Sequence, residues 1–100
     1  MGYLLVLEGD HRADGPHYDI PGWAHAKIME LARSSAVPCP LVRRMSDFYR
    51  DTSFDLDEVL PLAVELKSLS HGGYEDLFRP ILGLCERAAT AEKGIETDCD

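Results

Sequence analysis

A chain of 100 residues suits a single domain spanning 1–100, and a hydrophobic content of 45 % provides a core and argues against disorder. The formal charge of −8 opposes binding to nucleic-acid phosphates or anionic membrane surfaces and favours a basic protein partner. Cys39, Cys85 and Cys99 are odd in number, widely spaced and without a CxxC pair. A disulfide framework or zinc site is therefore not expected, and reduced thiols in the cytoplasm are.

Tyr3 to Glu8 is a short apolar run ended by Gly9-Asp10, the pattern of a buried strand. It is too short for a signal-peptide core or a membrane span, and no basic segment precedes it. The segment His11 to Pro21 reads as a polar loop with a turn at Asp14-Gly15-Pro16. A first helix is predicted from Gly22 to Ser34 or Ser35, with Ala24, Ile28, Leu31 and Ala32 inward and Trp23 packing at its entrance. Pro38 and Pro40 break it. A second helix is predicted from Pro40 to about Tyr49, with Leu41, Met45 and Phe48 inward. Its Arg43, Arg44 and Arg50 read as a solvated face paired with Asp47 and Asp51.

The clearest element is a third helix after Asp55. Leu56, Val59, Leu60, Ala63, Leu66 and Leu69 are spaced as its inner stripe, with Glu58, Pro61, Glu65 and Ser68 on the wet side. Asp55 and Glu58 have the spacing of a capping box, and His71-Gly72-Gly73 ends the helix. A fourth helix is predicted from about Tyr74 to Ala91, with Leu77, Phe78, Ile81, Leu84, Cys85 and Ala88 inward. Pro80 suggests that its first turn is a separate short helix, and Gly94 closes it. Ile95 to Cys99 alternates like a half-buried strand. An isolated strand cannot satisfy its backbone, so the two terminal strands are predicted to pair with each other. A homodimer pairing the same edges is the alternative. The fold class is α+β and mainly helical, with about four helices on a small sheet of terminal strands.

Asp10, His11, Asp14, His17 and Asp19 bring carboxylates and imidazoles into one loop, the residue types that bind divalent metals. Against a calcium loop, however, Arg12 occupies a ligand position and Pro21 stands where the bidentate glutamate belongs, so no metal site is expected. Cys39 with His25 or His71 has the residue types for nucleophilic catalysis, but no spacing supports the pairing, and no catalytic residue or cofactor is assigned. Cys39, between two prolines, is expected in an exposed loop. The candidate partner-binding residues are Asp10, Asp14, Tyr18, Asp19 and Trp23, together with Asp57 and Glu58 at the acidic start of the third helix. Tryptophan and tyrosine are common interface anchors, and the acids would attract a basic partner.

The block Pro40 to Phe54, continuing into Glu58-Val59-Leu60 and Glu65-Leu66, resembles a group of small uncharacterised bacterial proteins. These have an N-terminal strand, a helix ending in an aromatic pair plus Asp, and a terminal helix, glycine and strand. They are similar to immunity proteins of bacterial toxin systems, which act by binding the toxin. The resemblance implies a non-catalytic protein-binding module, an immunity-type antidote to a basic partner. A small metal-dependent or hydrolytic enzyme using the Asp10–Asp19 loop, or a self-associating structural protein, is the alternative.

Overall fold

A computed structural model describes residues 2–9, 15–46 and 52–99, without the side chains of Gly2 and Cys99. The described elements are β1 (Gly2–Leu7), β2 (His17–Pro21), α1 (Gly22–Ser34), α2 (Pro40–Arg43), β3 (Ser53–Phe54), α3 (Leu56–Leu69), α4 (Glu75–Ala91) and β4 (Ile95–Cys99). The fold is α+β. One antiparallel sheet in the order β2-β1-β4-β3 carries the helices on one face.

The terminal strands pair as expected, with Tyr3 opposite Cys99 and Leu7 opposite Ile95. Alternation then sends Tyr3, Leu5 and Leu7 into the helix-facing core with Ile20, Phe54 and Ile95. Thr97 shares that face and ties the sheet edge down. Its hydroxyl accepts from Tyr3 Oη at 3.2 Å and from the Thr52 amide at 2.6 Å, and donates to the Thr52 carbonyl at 2.9 Å. A buried hydroxyl so satisfied costs little desolvation.

The sheet is larger than the sequence predicts. His17 to Pro21, read as loop, is an edge strand whose Tyr18 lies opposite Leu5 and Asp19 opposite Leu4. Ser53-Phe54 adds a short strand at the other edge. Neither segment has a long apolar run of its own, and each gains its ladder partners from a strand distant in sequence.

Helix boundaries follow the local signals more closely. The α1 bounds match, and its buried residues are Ala24, His25, Ile28, Met29 and Ala32. His25 is inside because its Nε2–H donates to the Met45 carbonyl at 2.6 Å and its ring lies 5.0 Å from that of Tyr3. The α2 helix ends at Arg43, short of the predicted Tyr49. Phe48, Asp47, Arg50 and Asp51 lie outside the described residues. Among the described residues Arg44 pairs with Glu58 at 2.6 Å, donates to the Ser53 carbonyl, and covers the Phe54 ring at 4.7 Å.

The α3 capping box is present, with the Asp55 amide donating to Glu58 at 3.0 Å. Its buried stripe is Val59, Leu62, Leu66 and Leu69, whereas Leu56 and Leu60 are exposed. Burying four such side chains contributes about 1.5–3 kcal/mol each. Glu65 is not a solvated residue: its carboxylate accepts from the Leu41 amide at 3.0 Å and the Val42 amide at 2.9 Å, capping α2 from α3.

The α4 helix runs through Pro80 without a separate first turn. Pro61 and Pro80 each occupy the sixth position of their helix, and the carbonyl each leaves unbonded belongs to an exposed Asp, Asp57 or Asp76. Solvent can satisfy those carbonyls, so the helices continue. The left-handed residue that closes α4 is Glu92 (φ 57°) rather than Gly94. Gly94 serves the sheet instead. A Cβ there would collide with the Phe54 carbonyl oxygen, so β4 and β3 approach closely only because it is glycine.

Candidate functional site

Proline at 21 ends β2, and the chain turns directly into α1, which leaves Trp23 in the first helical turn. Across from it, Gly72 (φ 86°) and Gly73 (φ 100°) make the tight reversal between α3 and α4. That turn sets Tyr74 beside α1. Trp23, Lys27, Gly73, Tyr74, Asp76 and Leu77 then line a pocket of about 510 Å³. Trp23 is 73 % exposed, so it does not pack over the core as its position at the helix entrance predicts. Lys27 stands 5.3 Å from the Tyr74 ring centre and 3.3 Å from Glu30, and both interactions hold the ammonium at the pocket rim. Its pKa is raised, chiefly by the Glu30 hydrogen bond, so it stays cationic. An apolar floor and two aromatic side chains suit recognition of a protein surface.

The residues predicted to form one partner surface are divided by the topology. Tyr18 is half-buried on the helix-facing side of β2, and Asp19 is exposed on the opposite side. Trp23 follows them at the same sheet edge. Asp57 and Glu58 follow β3 at the other edge, three strand spacings or about 14 Å away across the sheet. Glu58 is engaged by the Asp55 amide and Arg44, which hold its carboxyl below the usual range. Asp57 is exposed. Asp10 and Asp14 lie outside the described residues.

The nucleophile candidates have other partners. Cys39 is buried rather than exposed, and its Sγ–H points to the Val37 carbonyl at 3.4 Å. Burial first, and the Glu65 charge second, raise its pKa. Cys85 is in the core, where burial and then Glu86 push its pKa up to about 12. A thiolate is disfavoured at both. His25 gives its Nε2–H to Met45, and His71 is exposed. Among the described residues no three His, Cys, Asp or Glu side chains gather as metal ligands, and no helix is long and apolar enough to cross a membrane.

Lys27 and Tyr74 were not legible as site residues. The only local signal was an aromatic residue immediately after Gly72-Gly73, a place where a turn can project it. No family model matches the chain, and neither a curated protein nor a solved structure shows significant similarity to it.

Proposed function

We propose that the chain is a non-catalytic protein-binding module that engages a basic partner, as an immunity-type antidote would. The observation that carries this reading is Trp23, 73 % exposed at the rim of a pocket whose floor is Tyr74 and Leu77. An exposed tryptophan beside a preformed apolar pocket is the residue type that dominates interface energies, because it desolvates a large area with few rotamers to order. The net charge of −8 would steer a basic partner toward the molecule, and the aromatic contact would set its residence time.

The test uses the intact chain and, as the candidate partner, any basic protein that proves to be encoded next to its gene. Surface-plasmon resonance should show binding whose association rate falls steeply with salt. Trp23→Ala should weaken it by about 30-fold or more, the effect of losing one hot spot. Unchanged affinity in Trp23→Ala, or no binding at micromolar concentrations, would overturn the reading.

A further inference from the structure

The α3 helix carries more apolar surface than the core uses. Leu56, Leu60 and Val64 recur every four residues, away from the buried stripe, and are 42 %, 62 % and 69 % exposed. With Ala63 on the same helix and Leu82 and Gly83 on α4, Leu60 and Val64 line a groove of about 770 Å³. The groove differs in charge from the rest of this acidic chain. Its lining includes the two cations Lys67 and Arg79 and the two anions Glu75 and Glu86, and so is balanced. Arg79 also lies 2.8 Å from the exposed Asp76 on its own helix, a solvent-facing pair that leaves its other guanidinium donors for a second partner.

The order of residues along the two helices is self-complementary. The five-residue connection 70–74 makes α3 and α4 an antiparallel pair. Leu62 lies seven residues before the end of α3, and Leu82 seven residues after the start of α4, so the two stand at about the same height. About Leu62, Leu60 and Val64 are equidistant, at about 3 Å along the axis. About the midpoint of Leu82 and Gly83, Arg79 and Glu86 are equidistant, at about 5 Å. A two-fold axis crossing both helices at this height sets each helix antiparallel to its own copy. It brings Leu60 onto Val64 of the second copy and Arg79 onto its Glu86, each contact occurring twice. Gly83 at the centre has open space where a Cβ would stand, which permits close approach of the copies. We infer that the occupant of the groove is a second copy of this chain, in an isologous homodimer through α3 and α4. This surface differs from the Trp23 pocket, so the two readings stand or fall separately.

The experiment is sedimentation equilibrium on the whole chain from about 1 to 100 µM, which brackets an ordinary dimer affinity. The wild-type chain should move from one to two copies of 11.1 kDa across this range. Val64→Glu should remain monomeric. Arg79→Glu should raise the dissociation constant about tenfold or more by facing two carboxylates across the axis, and combining it with Glu86→Arg should restore the wild-type value to within about threefold. Each position is at the surface or its rim, and unchanged circular dichroism confirms folding. A monomer throughout the range overturns the inference. So does a dimer that survives Val64→Glu, which would indicate another interface such as a sheet edge, or a failure of the charge exchange to restore association.

Discussion

The Trp23 pocket and the α3–α4 groove are both apolar surfaces, but they differ in composition and arrangement. The pocket centres on one aromatic side chain and a fixed cation, and nothing in it repeats. The groove is aliphatic, balanced in charge and symmetric about its own middle. A single anchor in an asymmetric setting suits an unlike partner, whereas a self-complementary strip suits a copy of itself. Exposed hydrophobic residues thus become informative through the charges around them and the spacing between them, not through their exposure alone.

Substitutions can separate the two surfaces from the scaffold that presents them. The largest effect is expected for Gly94→Ala, whose methyl group would collide with the Phe54 carbonyl oxygen. It should cost about 2–3 kcal/mol in urea unfolding and impair both surfaces together, because it strains the sheet beneath them. Glu65→Ala should cost about 1–2 kcal/mol by leaving the Leu41 and Val42 amides uncapped. That loss loosens α2 from α3 and should be felt at the groove before the pocket.

Glu58 provides a smaller, pH-dependent effect. The Asp55 amide and then Arg44 favour its ionised form in the folded chain, so its folded pKa lies below the unfolded value. Its contribution is present above the ordinary carboxylate pKa and is lost as pH falls through the lowered folded value. Glu58→Gln should therefore lower the urea midpoint at neutral pH, and the gap to wild type should close as pH falls below the ordinary carboxylate range. If the gap is independent of pH, the hydrogen bonds rather than the charge carry the stabilisation.

Least of all should the surface variants disturb stability. Trp23→Ala and Val64→Glu are each expected within about 0.5 kcal/mol of wild type, since neither side chain is buried. The comparison is sharpest in the crossed measurements. Trp23→Ala should leave the sedimentation mass unchanged, and Val64→Glu should leave partner affinity per chain unchanged. A variant that affects both readouts would merge the two surfaces into one.

Helices α1, α3 and α4 were legible because their signals are local. Proline, glycine and the Asp55–Glu58 pair mark their ends, and repeating apolar positions mark their course. The α3 pattern holds more apolar positions than one stripe needs. Leu56, Val59, Leu60, Leu62, Val64, Leu66 and Leu69 are too many for one core-facing stripe, which implies a second apolar face. Which stripe turns inward was not legible, since it depends on where the sheet and α4 lie. Asp57 and Trp23 are candidate contact residues by residue type, but the expectation that they share one surface fails, since the fold sets them at opposite sheet edges.

What the sequence by itself determined is the course of the longer helices and the pairing of the two terminal strands. Both follow from periodicity, breakers and the need to satisfy backbone groups. Tertiary structure decided the rest. The β2 and β3 strands exist because β1 and β4 offer them hydrogen bonds, and Glu65 becomes a cap because α2 begins against it. Trp23 stays in solvent because the sheet takes the other side of α1, the stripe of Ala24, His25, Ile28, Met29 and Ala32. Such choices depend on partners distant in sequence, and no local pattern encodes which distant partner will arrive.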